Sequence, residues 1–123
     1  MTHEERINHL KELLSTKANY FSVMPGAVRY DQDLSYFSKV LYSEVSALAN
    51  KEGYCYANNA YFENLYNVSK STIIQTINQL IDKEYLIKKI IYAEDTKQVL
   101  ERRLYINDKF FKIKLVSEVE TPM

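Results

Sequence analysis

Val68-Ser69-Lys70-Ser71-Thr72-Ile73-Ile74-Gln75-Thr76-Ile77-Asn78-Gln79-Leu80-Ile81 is the stretch whose reading decides the fold. Ser69 is placed to cap a helix by accepting a hydrogen bond from a free first-turn N–H. Val68 before the cap and Ile73 at the fourth helical position can close as a hydrophobic staple. Ile73, Ile77, Leu80 and Ile81 recur at helical spacing, so one face must be buried. The opposite arc carries Ser71, Gln75, Asn78 and Asp82, with Thr72, Thr76, Gln79 and Lys83 beside them. Uncharged groups that both donate and accept hydrogen bonds are what reading a base edge requires. The plainer alternative is an amphipathic core helix with a solvated face.

The flanks favour the first reading. Asn58-Asn59 caps a short helix that reaches Tyr66 and buries Phe62 and Leu65. Asn67 then sits where a tight turn needs a positive φ, which Asn tolerates best after Gly. The two helices make a helix-turn-helix, with Asn67 as its turn. Beyond a core helix ending near Lys83, β-branched and aromatic residues dominate from Tyr85 to Tyr92. A polar tip, Ala93-Glu94-Asp95-Thr96-Lys97-Gln98, leads into a second strand from Val99 to Ile106. Such a hairpin is the wing of a winged helix. Lys88, Lys89, Lys97, Arg102 and Arg103 are candidates for phosphate contact, with Ser69 and Thr72 at the helix start. The alternative is that a small exposed sheet carries Lys and Arg for solubility and edge protection. The acidic Glu94-Asp95 tip argues against entry into a minor groove.

Upstream, Thr2-His3-Glu4-Glu5 is a capping box that opens an amphipathic helix over residues 3–15, with Ile7, Leu10, Leu13 and Leu14 as its stripe. So short a helix needs a surface to lie on, either its own core or a second subunit. Tyr20 to Met24 reads as extended and ends in a Pro25-Gly26 turn. Asp31 and Asp33, in a polar connector, end one turn and introduce the next helix. Ser35 caps that helix, which runs to about Asn50. Phe37, Val40, Leu41, Val45 and Leu48 form its buried stripe, and Lys39, Ser43, Glu44 and Ser46 are expected to face out. Asn50-Lys51-Glu52-Gly53 stops it, and Tyr54 to Ala57 is at most a small strand. After Asn107 the pattern fits either a helix capped by Asp108 or a strand alternating through Phe111, Ile113 and Leu115. Residues 117–123 read as a linker, as in a domain cut from a longer protein.

At 123 residues, 46% hydrophobic and 26% charged, the chain has the size and composition of one globular domain. There is no membrane-spanning run and no secretory signal. One cysteine, Cys55, excludes an internal disulfide and points to the cytoplasm. His3 and His9 have no ligand spacing, so no metal is expected, and nothing calls for a cofactor. The net charge is zero, yet residues 1–67 hold 6 basic and 8 acidic groups while residues 68–116 hold 10 and 6. The positive excess falls on the capped helix and hairpin, where phosphate contacts act at short range. An excess of +4 (10 minus 6) is modest, so more than one copy is expected to be needed.

Several stretches together resemble one family: Tyr20-Phe21-Ser22-Val23-Met24-Pro25, Val28-Arg29-Tyr30-Asp31, Leu34-Ser35, Leu41 through Asn50, Gly53-Tyr54 and Asn67 through Ile73. They resemble the N-terminal winged-helix domain of phage and plasmid replication proteins of low-GC Gram-positive bacteria. These replisome organisers, or replication initiators, are related in this domain to DnaD-like primosome proteins. The resemblance spans roughly residues 20–107, and Leu41–Asn50 is its most specific part. It implies binding of double-stranded DNA at an origin, self-association, and recruitment of a host helicase loader or helicase through regions outside this chain. Carried over by position, Lys70, Ser71, Gln75 and Asn78 would face the major groove, flanked by Lys88, Lys89, Arg102 and Arg103. In two places the chain departs from the pattern. Glu84 stands where Gly usually precedes the aromatic and aliphatic pair, and Ile74 and Ile81 replace polar groups. These two isoleucines, with Ile7, Leu10 and Leu14, are candidates for self-association.

The expected fold class is therefore α+β, mainly α: a winged helix-turn-helix over residues 20–107. An amphipathic helix and connector precede it over residues 1–19, and residues 108–123 form an extension. The expected function is sequence-specific double-stranded DNA binding without catalysis. A transcriptional regulator would use the same surface, and a winged helix used for protein assembly would suit the near-zero charge. An enzyme is disfavoured by the lack of a glycine-rich phosphate loop, Cys/His metal spacing or a nucleophile–base set.

Overall fold

The computed structural model describes residues 2–16 and 22–111. The chain forms α1 (His3–Thr16), α2 (Gly26–Arg29), α3 (Tyr36–Glu52), α4 (Asn59–Tyr66) and α5 (Lys70–Asp82). The antiparallel hairpin β1 (Leu86–Tyr92) and β2 (Val99–Ile106) follows, then a 3-10 turn at Asp108–Phe111. This is an α+β, mainly helical winged helix-turn-helix, as expected. Tyr20, Phe21 and everything after Phe111 lie outside the described residues, as do the side chains of Leu13 and Leu14.

Helices α1, α3, α4 and α5 each begin where a short polar side chain replaces a missing partner. The Thr2 hydroxyl accepts from the Glu5 N–H at 3.1 Å, Ser35 from Ser38 at 3.0 Å and Asn58 from Tyr61 at 2.9 Å. Ser69 accepts from Thr72 at 3.2 Å. Each such cap contributes roughly 1 kcal/mol. Helix ends use the left-handed region, with φ at 86° for Gly53 and 55° for Asn67. After α4, the Glu63 carbonyl accepts from both Asn67 and Val68, which turns the chain into α5 within three residues. The same device closes α5, where Tyr85 N–H reaches the Leu80 carbonyl and Glu84 carries φ 64°. The missing glycine before Tyr85-Leu86 is therefore a glutamate held in a conformation that costs an L-residue about 1 kcal/mol.

The core gathers Val28, Leu34, Leu41, Tyr42, Val45, Phe62, Ile73, Ile77, Leu80, Leu86 and Leu104. Ile73, Ile77 and Leu80 are at most 3% exposed, which fixes the rotation of α5. At ~1.5–3 kcal/mol for each buried aliphatic side chain, turning the helix to any other face is excluded. Three expectations for α3 are corrected. Val40 is 44% exposed, whereas Ser46 is buried and bonds the Val23 backbone. Glu44 does not face water freely, because it accepts hydrogen bonds from Tyr61 and Tyr66. These residues lie at the edges of the α3 stripe, where the neighbouring segments rather than periodicity decide burial. The Pro25-Gly26 turn is instead the start of a single helical turn, α2, in which the missing proline N–H costs nothing. Tyr54 to Ala57 forms only a bridge, Cys55 to Leu104.

Candidate nucleic-acid interface

With its apolar face locked into the core, α5 must present Lys70, Ser71, Gln75 and Asn78 outward, and all four are exposed. Its neighbouring polar residues are already engaged. The Thr76 hydroxyl is buried and donates to the Thr72 carbonyl at 2.7 Å. The Gln79 amide donates to the Asp33 carbonyl at 3.2 Å and accepts from the Ser38 hydroxyl at 3.3 Å. Gln79 is thus a tie between α5 and the start of α3, which leaves Gln75 and Asn78 as the outward amides. At the helix start, the Ser69 hydroxyl lies 3.1 Å from that of Ser71 and 2.9 Å from that of Thr72. The hydroxyl cluster and free first-turn N–H groups sit at the positive end of the helix dipole, where an anion is favoured.

Packing brings a second element to this surface that the sequence did not reveal. A polar groove runs between the start of α3 and α5, lined by Ser35, Ser38, Thr72, Gln75, Thr76 and Gln79. Tyr36 and Lys39 line a neighbouring hollow with Gln32, Leu34 and Ser35; Tyr36 is 87% exposed, and Lys39 donates to the Arg29 carbonyl at 2.7 Å. Ser35 was readable as a cap, but its closeness to Gln75 spans 40 residues of sequence and has no local signal.

The C-terminal end of α5 is held by a polar latch. Lys83 pairs with Asp31 at 3.0 Å and Asp33 at 3.2 Å. The Tyr85 hydroxyl donates to Asp31 at 2.6 Å, with the Ala27 carbonyl at 3.1 Å. The Tyr85 and Lys83 hydrogen bonds draw the Asp31 carboxyl from an ordinary 3.8 down to about 2. Burial, then the Asp31 bond, pushes the Tyr85 phenol up to about 12. Asp31 also accepts from the Asp33 N–H at 2.9 Å, so it keeps its expected turn role and adds the latch.

The wing separates its basic residues. Lys88 pairs in register with Leu104 and Lys89 with Arg103, so the two lysines lie on opposite faces of the hairpin. Both are exposed, as is Lys97 at the tip. Arg102 is not at the surface in the way a phosphate contact requires. Its guanidinium donates to Asn59 Oδ1 at 2.6 Å and to the Ala57 carbonyl at 2.8 Å, and Nε is buried without a partner. Desolvation lowers its pKa from the ordinary arginine value. Strand alternation puts Arg102 on the face of buried Leu104, a signal the sequence did carry. Arg103 pairs with Glu101 and stacks on the Tyr54 ring at 4.3 Å.

Among the candidates for self-association, Ile7 is 38% exposed, Leu10 53% and Ile74 38%, whereas Ile81 is half-buried against the core. The side chain of Leu14 lies outside the described residues. Among the described residues no helix is long and apolar enough to cross a membrane, and no cluster of three or more His, Cys, Asp or Glu could hold a metal ion.

Residues 33–86 match a family model described as a helix-turn-helix domain. No curated protein and no solved structure matches the chain. The matched span runs from just before the α3 cap through α4 and α5 to the first wing residue, in keeping with the winged helix-turn-helix fold.

Proposed function

We propose that this chain binds double-stranded DNA sequence-specifically, with α5 in the major groove, and serves replication initiation at a phage or plasmid origin. The observation that carries the DNA reading is the outward face of α5. Gln75 and Asn78 stand exposed, one helical turn apart, while Ile73, Ile77 and Leu80, which fix the rotation of the helix, are buried. Ser71 and Lys70 extend that face toward the capped end. Ser69, Thr72, Lys88 and Lys97 supply the backbone contacts, with Tyr36 and Lys39 joining from α3. Arg102 is left out, and Lys89 and Arg103 lie on the other face of the wing.

The replication role rests on the resemblance of Tyr20–Ser35 and Leu41–Asn50 to replisome organisers. A transcriptional regulator would use the same α5 face. Self-association through Ile7, Leu10 and Ile74, a cytoplasmic location and handover to a helicase loader belong to the same reading.

Fluorescence anisotropy on a random duplex, then on repeats from the chain's own gene, tests the binding. Each good base contact is worth roughly 1–3 kcal/mol of discrimination, so Gln75→Ala or Asn78→Ala should erase preference for the specific repeat. Lys88→Ala should weaken all duplexes alike and flatten the salt dependence by about one unit of slope. No duplex binding at low salt would refute the reading. Replication of an origin-less plasmid carrying those repeats, in cells making the full protein, separates an initiator from a regulator.

A further inference from the structure

The hairpin has a second face, turned away from the core, that duplex binding does not use. Cys55 pairs with Leu104 and both are buried, so their neighbours Tyr54, Tyr56, Arg103 and Tyr105 project to the opposite side. The ring centroids of Tyr54 lie 5.6 Å from Tyr105 and 6.3 Å from Tyr56, a continuous aromatic row across the sheet. Tyr56 is 59% exposed and Ile87, beside Tyr105 in register, 49%. Lys89 stands opposite Arg103, whose guanidinium covers one face of Tyr54. Glu101 is engaged by Arg103, which leaves Lys89 as the charge on offer.

We propose that this face binds single-stranded nucleic acid, with unpaired bases stacking on Tyr56 and Tyr105 and the backbone held by Lys89. Tyrosine rings laid on a sheet and interleaved with cations suit splayed bases, whose π-faces are open. A duplex keeps its bases stacked inside and cannot use the rings. A second copy of this chain fits less well. A two-fold contact here would set the unpaired Lys89 of both copies against each other, since such an interface uses the same patch twice. The proposal extends the duplex-binding reading, because an origin-binding domain that also holds an unpaired strand could retain the product of melting.

The test uses the full chain and a fluorescein-labelled oligothymidylate of about 15 nucleotides, within the span of one small domain. There is no tryptophan, so quenching of the intrinsic tyrosine emission gives an independent readout. Oligothymidylate should bind with tyrosine quenching. Tyr56→Ala should weaken that binding about tenfold and Lys89→Ala should reduce its salt dependence, both leaving duplex affinity within about twofold. Gln75→Ala should alter duplex preference and leave the oligothymidylate titration untouched. Thermal melting checks that the variants fold, and Tyr56→Phe, which keeps the ring, should retain binding. The proposal is overturned if oligothymidylate does not bind at low salt, or if Tyr56→Ala binds it as well as the parent. It is equally overturned if Tyr56→Ala only dissolves a dimer seen by light scattering. Duplex binding is measured separately, so either reading can fail alone.

Discussion

Replacing Arg102 with alanine should damage stability and leave the salt dependence of DNA binding intact, the reverse of what its position in a basic wing suggests. Two charged hydrogen bonds disappear, to Asn59 Oδ1 at 2.6 Å and the Ala57 carbonyl at 2.8 Å. Each is worth about 1.5–3 kcal/mol before costs. The desolvated Nε, which has no partner, already offsets about 1–3 kcal/mol of that sum. A net loss of about 2–3 kcal/mol follows, a large share of the ~5–15 kcal/mol that holds a domain of this size. In urea, with a slope of about 1–3 kcal/mol per molar, the midpoint should fall by roughly 1–2 M. Arg102→Met, which keeps the aliphatic stem, should recover only the packing part. A phosphate-contacting arginine would instead behave as a counterion-release site, so its loss would lower the salt slope by about 0.9 while the urea midpoint stayed put. That second outcome would refute the inward role.

Other positions give sharper but smaller effects. Glu84→Gly relieves the left-handed φ of 64° and gives up an exposed ion pair with Lys109 at 3.3 Å. After the flexibility glycine adds to the unfolded chain, thermal melting should rise by about 2–4 °C. The Asp31 carboxyl has its pKa lowered in the fold, so its stabilisation is complete above about pH 4 and is lost as pH falls toward about 2. Asp31→Asn should therefore flatten that limb of the stability profile in urea titrations at pH 2 to 5, and an unchanged acid limb would remove Asp31 from the latch. Ile74→Glu tests self-association cleanly because Ile74 is exposed whereas Ile81 packs on the core. The expected outcome is a smaller particle by light scattering with stability within about 0.5 kcal/mol; an unchanged particle size would rule Ile74 out.

Local codes read correctly because they act within a turn or two of chain. The Ser69 cap, the positive φ of Asn67 and the burial of Ile73, Ile77 and Leu80 depend on neighbours at most four residues away. Burial of one α5 face fixes its opposite, so the outward placement of Lys70, Ser71, Gln75 and Asn78 was legible from periodicity alone. The edges of the α3 stripe were not. Val40 and Ser46 exchange roles because the segment at Val23 covers one edge and leaves the other to water.

The sequence by itself determined the order of α1, α3, α4 and α5, their caps, the turn between α4 and α5, and the two-stranded wing, since each follows from periodicity and backbone preference within one element. Only the tertiary structure decided which polar groups remain available. Gln79 is taken up by Asp33 and Ser38, Arg102 by Ala57 and Asn59, and Arg103 by Glu101 and Tyr54. The row of Tyr54, Tyr56 and Tyr105 exists only because the Cys55 bridge sets Tyr54 and Tyr56 beside β2. For Gln79 and Arg102 that availability depends on partners 41 to 46 residues away, and no local spacing encodes a contact made by folding the chain back on itself.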